Sequence, residues 1–279
     1  MVSSGTGVII QARMSSSRLP GKVLLPLPQA SGISLLDRII ACAGAVEPKP
    51  AIILATSTSA ENDVLEQVAA KNDILFYRGE EQDVLARFYQ AAAAHGLETI
   101  VRLTADNPFI DPGILSHSLQ EHRQTGADYT VTTGLPLGTN LEIISFRALV
   151  QAHREARAAE HREHVTPYIR QHPELFSLRQ LNLAGQQWGQ AEWRLTVDNE
   201  SDYALACAIF LALGAPPHPL PLARVAALLT ANPALLTINK DNYQKKVFPS
   251  VQEEVAEAIA LLRFNDLGRA ANLLQQNKP

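Results

Sequence analysis

The residues best suited to chemistry lie in one loop near the start of the chain. Residues 7 to 26 read GVIIQARMSSSRLPGKVLLP, in which an apolar strand opens into a polar loop that carries Arg13, Arg18 and Lys22. Three cations beside three consecutive serines, whose small side chains let the backbone approach closely, are suited to hold a phosphate chain. Pro20-Gly21 predicts a sharp bend that folds the loop back over its ligand. Taken alone, the same residues also fit a solvated basic loop.

A second candidate is the carboxylate of Asp106, in the stretch VRLTADNPFIDP from 101 to 112. The apolar run before it predicts a strand, and the two-residue period of a strand points Thr104 and Asp106 the same way. A carboxylate at the carboxyl end of a strand, facing a phosphate-binding loop, is well placed to hold Mg²⁺. The alternative is that Asp106 only caps the turn before Pro108 while Asp111 caps the next helix.

The elements that must position these residues alternate along the chain. Short apolar runs predict strands near residues 51–56, 74–77, 98–104, 127–132 and 141–144, with helical patterns between them. This alternation indicates a Rossmann-like α/β fold, a mainly parallel sheet flanked by helices, whose ligands bind at the carboxyl ends of the strands. Asp83 is a candidate N-cap with Arg87 as its i,i+4 partner.

The last part of the pattern sets the expected domain boundary. Residues 193–197 predict a short strand that ends at Asp198 and is followed by a helix capped by Ser201 or Asp202. Beyond Gly214 the alternation stops and only helical patterns remain, near 222–230, 251–264 and 270–276. We therefore expect a domain over residues 1–214 and a C-terminal helical extension over 215–279.

Composition excludes several classes of function. The 279 residues carry a net charge of −4 at pH 7, which does not favour nucleic-acid binding, and no apolar run approaches membrane-spanning length. Cys42 and Cys207 lie in apolar helical patterns and are predicted to be buried thiols, as suits a cytoplasmic protein. His161 and His164 lack the spacing and the third ligand of a zinc site.

The loop sequence QARMSSSRLPGK resembles the signature of cytidylyltransferases that activate acidic sugars with CTP. These include the 3-deoxy-manno-octulosonate and acylneuraminate enzymes, and the resemblance is closest to the spore-coat polysaccharide (SpsF-like) branch. Four further stretches match motifs of this family in the expected order, so that the resemblance covers residues 7 to 214: LTADNPFIDP, GTNLE, REHVTPYI and RLTVDNESDY.

This resemblance implies a GT-A-like nucleotidyltransferase that moves CMP from CTP to a sugar or sugar acid and releases pyrophosphate, for a surface polysaccharide or another glycan. It assigns catalysis to Arg13, Arg18, Lys22 and Asp106. It implies Mg²⁺ as the cofactor, held by Asp106 and Asp198. CTP binding would use the three cations together with Gln11, Ala12, Ser15 and Thr104. Acceptor binding would use Asp83, Arg87, Asn140, Glu142 and His164. A homodimer is compatible with it, whereas nucleic acid and membrane are not expected partners.

Two other functions fit parts of the sequence. A GT-A-type glycosyltransferase would consume a nucleotide sugar, but it usually needs an Asp-x-Asp metal motif, and residues 106–108 read Asp-Asn-Pro. A non-catalytic nucleotide-binding assembly protein would not need two aspartates and three cations together. Neither the acceptor sugar nor the choice of base follows from the residues alone.

Overall fold

The computed structural model describes residues 5–216, 219–242 and 250–276 in two compact units, the first ending at Lys240 and the second beginning at Asp241. The first unit contains a seven-stranded sheet. Its strands are β1 (Thr6–Gln11), β2 (Ala51–Ser57), β3 (Leu75–Gly79), β4 (Thr99–Thr104), β5 (Tyr129–Thr133), β6 (Glu142–Ser145) and β7 (Leu178–Asn182).

The strand order is β3-β2-β1-β4-β6-β5-β7, which places the first strand between β2 and β4. β1 to β4 are mutually parallel, β5 and β7 are parallel to each other, and β6 runs antiparallel to both of its neighbours. β1 and β4 pair from Thr6 with Thr99 to Gln11 with Thr104, so the loops after the two strands leave the sheet side by side. The predicted mainly parallel α/β sheet is confirmed.

Helices cover both faces of this sheet. In the first unit they are α1 (Leu35–Gly44), α2 (Val64–Lys71), α3 (Val84–Ala94), α4 (Pro112–Thr125), α5 (Phe146–Glu155), α6 (Ala159–His164), α7 (Pro167–Gln171), α8 (Glu200–Ala212) and α9 (Leu222–Ala231). Short 3-10 helices span Lys22–Leu24, Ala60–Asn62, Gln186–Trp188 and Pro233–Ile238.

Alternation along the central strands divides the buried residues into two cores. Val8 and Ile10 on β1 lie in one core, with side chains of α1, α4, α8 and α9. Ile9 lies in the other, with side chains of α3 and α5. Because side chains of a strand alternate between faces, a strand covered by helices on both sides must be apolar throughout. This explains why β1 reads as an uninterrupted apolar run.

Two local predictions are wrong. Residues 193–198 do not form a strand: the segment makes only an isolated bridge, between Leu137 and Arg194. The helix after it begins at Glu200, and its N-cap is Asn199, with Asp202 in the third helical position completing a capping box. Asp198 therefore follows an extended segment that is hydrogen-bonded to the loop after β5: the Leu137 amide donates to the carbonyl of Trp193, and the Leu195 amide donates to the carbonyl of Leu137.

The C-terminal residues divide differently from the expected boundary after residue 214. α9 belongs to the first unit, where Leu222 and Val225 are fully buried in the core. In the second unit α10 (Val251–Phe264) and α11 (Gly268–Gln276) pack against each other, with Ile259 and Ala271 buried. No helix in the described residues is both long and apolar enough to cross a membrane.

Candidate functional site

A polar cleft of about 220 Å³ opens at the carboxyl ends of β1 and β4. Every residue predicted for nucleotide or metal binding lines it. The full lining is Gln11, Ala12, Arg13, Ser15, Ser16, Ser17, Arg18, Lys22, Val23, Thr104, Ala105, Asp106 and Asp198. Three stretches far apart in the chain therefore meet at one edge of the sheet, where a doubly wound fold binds its ligands.

The loop after β1 is closed by its own backbone. The carbonyl of Met14 accepts hydrogen bonds from the amides of Ser16 (2.9 Å) and Gly21 (3.1 Å). Gly21 has φ of +68°, a left-handed conformation that glycine adopts without strain, so the predicted bend is present. Asn62, which is fully buried, accepts the Met14 amide at 2.8 Å and ties the loop to the segment after β2. The loop is thus fixed at both flanks before any ligand binds.

Lys22 is the centre of the cleft. Its Nζ donates to Asp106 Oδ2 (3.0 Å), Asp198 Oδ1 (2.9 Å) and the carbonyl of Val197 (2.9 Å). An ammonium group has three protons, so these three acceptors satisfy it completely. The side chain is only 11% exposed, and the short 3-10 helix that it begins fixes its backbone. Lys22 is therefore held as a fixed positive charge between two carboxylates.

Each of the two carboxylates has one oxygen held away from Lys22. Asp106 Oδ1 accepts the Thr104 hydroxyl at 2.6 Å. Asp198 Oδ2 accepts from Arg194 at 2.8 Å, while its Oδ1 also forms an ion pair with Arg18 at 2.9 Å. The other oxygens, Asp106 Oδ2 and Asp198 Oδ1, both face Lys22 Nζ.

This donor set fits Mg²⁺. The described part of the chain contains no group of three His, Cys, Asp or Glu side chains able to enclose a metal ion. Mg²⁺ does not need one, because it typically binds one or two carboxylates together with substrate phosphates and water. Asp106 and Asp198 are the residues that would hold it, beside a loop shaped for phosphate.

Arg13 and Arg18 are exposed at the rim of the cleft, in contrast to Lys22. Arg13 is close enough to Arg87 to affect it: burial lowers the pKa of Arg87, and the positive charge of Arg13 lowers it further. The rim of the cleft therefore extends its positive charge toward α3.

The predicted acceptor residues on α3 already have partners in the fold. Asp83 caps α3 by accepting the Ala86 amide at 2.9 Å, as predicted, but its ion pair is with Arg162 and not with Arg87. The Arg87 guanidinium instead donates to the backbone carbonyls of Glu80 and Glu81. An i,i+4 pair is not formed because the loop before the helix offers Arg87 two carbonyls at 2.8 and 2.9 Å.

Glu142 is also engaged, inside the sheet. Its carboxylate accepts from Arg102 (2.6 Å), the Tyr129 hydroxyl and Thr166 (2.7 Å). Burial by itself would raise the pKa of Glu142, but Arg102 and the two hydroxyl donors outweigh it and lower the pKa overall. Glu142 therefore joins β4, β5 and the segment after α6, and stays ionised.

Asn140 is exposed and donates to the carbonyl of Leu135 at 3.1 Å, and His164 lies half-buried at the end of α6. Neither lines the cleft, nor do Asp83, Arg87 and Glu142. The structure thus brings the predicted nucleotide and metal residues together, and leaves the five acceptor candidates outside the cleft that it forms.

Two residues of the site were not predicted. Asn62 fixes the loop after β1, and Arg194 holds the second oxygen of Asp198. Only Arg194 had a signal in the sequence, the spacing of Arg194, Asp198 and Asp202 at four-residue intervals. That spacing did not predict the contact, because four-residue spacing indicates an ion pair only on a helix and Arg194 does not lie on one.

The fold and the cleft define a class of protein. A mainly parallel sheet with helices on both faces, and a phosphate-suited loop after its first strand, is a Rossmann-like nucleotidyltransferase fold. The chain is similar to the structure of a cytidylyltransferase from Leptospira borgpetersenii serovar Hardjo-bovis, with a TM-score of 0.76 at 24% identity over 88% of this chain and all of that one. It also resembles CMP:2-keto-3-deoxy-manno-octonic acid synthetase complexed with CTP, with a TM-score of 0.58 at 15% identity over 75% of this chain and all of that one.

The sequence comparison gives the family. The family model described as cytidylyltransferase matches residues 7–256. The spore coat polysaccharide biosynthesis protein SpsF of Bacillus subtilis is 36% identical over 231 residues, which cover 82% of this chain and 95% of that protein. The chain belongs to the cytidylyltransferase family, and the resemblance noted in its motifs is confirmed.

Proposed function

We propose that this protein transfers CMP from CTP to a hydroxyl of a sugar or sugar acid and releases pyrophosphate. The observation that carries the proposal is the position of Lys22 between Asp106 and Asp198, at the base of a loop with two exposed arginines. A triphosphate needs several cations at close range, and the cleft supplies three from a single loop.

In this reaction the acceptor oxygen attacks the α-phosphorus of CTP. A new bond forms between that oxygen and the α-phosphorus, the bond from the α-phosphorus to the bridging oxygen breaks, and pyrophosphate leaves with the electron pair while the hydroxyl loses its proton. Mg²⁺, when held by Asp106 and Asp198, supplies positive charge to the phosphate oxygens. Lys22, Arg13 and Arg18 stabilise the negative charge that grows on the leaving pyrophosphate.

The remaining cleft residues position the nucleotide. Gln11 ends β1 beside Thr104 and Ala12 follows it; we propose that their backbone contacts the base, while Ser15 offers its amide and hydroxyl to phosphate oxygens. Thr104 acts through Asp106, whose Oδ1 it holds. The acceptor would approach from the α3 side of the cleft, where the positive charge of Arg13 acts on Arg87. By analogy with the relative from Bacillus subtilis, we propose that the product serves a polysaccharide pathway in the cytoplasm.

A glycosyltransferase remains the second candidate because its fold is related, but nothing in the cleft favours it. Its usual metal motif places two aspartates two residues apart, whereas the two carboxylates here are separated by more than ninety residues and meet across Lys22. A buried lysine bonded to both carboxylates is better suited to a triphosphate than to a nucleotide sugar.

The proposal is tested by calorimetric titration of the purified protein with CTP, UTP, GTP and ATP, each with Mg²⁺, followed by an assay of pyrophosphate release with a panel of sugars and sugar acids. We expect selective binding of CTP that is lost in Asp106→Ala and retained in Asp63→Ala, a control carboxylate that is exposed and does not line the cleft. Binding of a nucleotide sugar in preference to CTP, or of no nucleotide at all, would refute the proposal.

A further inference from the structure

Arg194 makes a set of contacts that no role described so far requires. Its guanidinium donates to Asp202 through Nε (2.9 Å, to Oδ1) and NH2 (3.2 Å, to Oδ2), and to Asp198 Oδ2 through the same NH2 (2.8 Å). The side chain is only 9% exposed and does not line the cleft. Arg194 thus reaches the cleft only through Asp198.

The partner that fixes Arg194 is itself immobile. The Asp202 carboxylate is fully buried and accepts from the backbone amides of Asp198 (3.0 Å) and Asn199 (3.1 Å). The Asn239 amide group donates to Asp202 Oδ1 at 2.9 Å and to the carbonyl of Arg194 at 3.0 Å. The side chains of Arg194 and Asp202 and the backbone between them therefore form one hydrogen-bonded network, which fixes the orientation of the Arg194 guanidinium.

This network decides how Asp198 faces the cleft. Because Arg194 takes Oδ2, only Oδ1 is left for Lys22, Arg18 and any ligand in the cleft. A carboxylate that is free to rotate can offer both oxygens to a cation, whereas one fixed at Oδ2 offers one. Mg²⁺ demands near-ideal octahedral geometry, so a single fixed oxygen suits it.

We propose that Arg194 is a positioning residue for Asp198, holding its carboxylate so that one oxygen is presented to the metal and triphosphate in the cleft. The inference rests on the proposed function. Partners of metal ligands of this kind typically change metal affinity by 10- to 100-fold when they are removed. The competing account is that Arg194 and Asp202 form a core ion pair whose loss affects stability alone.

The test uses Mn²⁺ in place of Mg²⁺, detected by electron paramagnetic resonance in the presence of CTP. Arg194→Lys keeps the charge but loses the planar fork that reaches both carboxylates. Arg194→Met combined with Asp202→Asn removes the two buried charges together and so avoids leaving one unpaired. Arg147→Met, which removes an ion pair with Asp128 elsewhere in the fold, serves as the control.

We expect Mn²⁺ affinity to fall about 10- to 100-fold in the double variant and by a smaller factor in Arg194→Lys. Affinity for CTP without metal should stay within about threefold of wild type in both, and Arg147→Met should not change Mn²⁺ affinity. Wild-type Mn²⁺ affinity in the folded double variant would overturn the proposal. If the double variant does not fold, unchanged Mn²⁺ affinity in Arg194→Lys would overturn it equally.

The two proposals fail separately. Wild-type protein that binds Mn²⁺ with CTP but releases no pyrophosphate with any acceptor refutes the proposed function and leaves the role of Arg194 standing. Pyrophosphate release by wild type, with unaltered Mn²⁺ affinity in the folded variants, supports the function and refutes the role of Arg194.

Discussion

Lys22→Met is the substitution whose effects the cleft geometry defines most sharply. Methionine keeps an unbranched chain of similar length and removes the positive charge that lies 3.0 Å from one carboxylate and 2.9 Å from the other. The change should lower kcat, because the Lys22 charge stabilises the leaving pyrophosphate. It should also raise the affinity of the free protein for a divalent cation, because the same charge occupies the space between the two carboxylates.

The magnitudes follow from these distances. At about 3 Å, each ion pair is worth roughly 1.4 kcal/mol in water-like surroundings and roughly 5.5 kcal/mol at an effective dielectric constant of 20. The carboxylate side chains are only 26% and 16% exposed, so the water-like value is a lower bound. We expect kcat to fall at least about 100-fold, as when other charge-stabilising groups are removed. We expect Mn²⁺ affinity without nucleotide to rise at least about tenfold, since roughly 1.4 kcal/mol corresponds to a factor of ten.

Pyrophosphate release gives kcat, and paramagnetic resonance of Mn²⁺ gives affinity in the absence of nucleotide. Lys71→Met is the control, because Lys71 also pairs with an aspartate, Asp37, but is 63% exposed and does not line the cleft. It should change neither quantity. A Lys22→Met protein with normal kcat, or with no gain in Mn²⁺ affinity, would show that the charge between the carboxylates does not act as described.

Three further predictions concern the scaffold. Burial lowers the pKa of His122 to about 4, so the unfolding free energy should decline by roughly 3 kcal/mol as pH falls from 6.5 to 4, a loss absent in His122→Gln when urea unfolding is followed at each pH. Gly138→Ala should cost at least about 2 kcal/mol and reduce activity, whereas Gly126→Ala, also at positive φ but in open space, should cost about 1 kcal/mol. Glu142→Gln should lower the free energy of unfolding by roughly 2–4 kcal/mol, whereas Asn140→Ala, at an exposed position, should lower it by less than about 1 kcal/mol. Urea denaturation measures both changes.

Each of these has a result that contradicts it. The sign for His122 follows from its neutral folded form: the unfolded chain gains a proton below pH 6.5 and the folded chain only near pH 4, so the stabilisation is present above that window and lost within it. If the unfolding free energy of His122→Gln falls with pH as steeply as that of wild type, His122 is not the source of the pH dependence. Equal losses for the two glycines would mean that the 2.7 Å approach of a new Cβ to the Thr196 amide is relieved without cost. Equal losses of unfolding free energy for the Glu142 and Asn140 variants would show that the hydrogen bonds of the buried carboxylate do not stabilise the packing of β4 and β5.

The proximity of the cleft residues could be predicted because most of them lie directly after buried strands. Gln11 to Lys22 follow a continuous apolar strand, and Asp106 follows another, so the parallel pairing of β1 and β4 alone brings them together. Asp198 was placed correctly beside Asp106 through its motif, even though the strand expected before it is an extended segment with one bridge. Polar residues that lie directly after buried strands carry most of this information.

The sequence did not reveal which charged side chains form ion pairs with one another. Arg87 and Asp83 have ideal helical spacing, yet Arg162, seventy-nine residues later, takes the carboxylate. Glu142 pairs with Arg102 because β6 runs antiparallel beside β4, a topology that the alternating pattern did not contain. β7 was missed because Leu178–Asn182 has mostly exposed side chains and no apolar run. Such pairings depend on tertiary neighbours, which a single-sequence pattern does not contain.

The separation of Lys22 and Asp198 along the chain has a consequence for folding during synthesis on the ribosome. The hydrogen bond that joins them spans 176 residues of chain. At about 5–20 residues per second, a ribosome needs roughly 10–35 s to cover that distance, and during this interval Lys22 has no Asp198 to meet. β1 to β4 can pair in the meantime, since their partners lie within the first 104 residues. The cleft is therefore completed late in synthesis, after the central strands on which it is built.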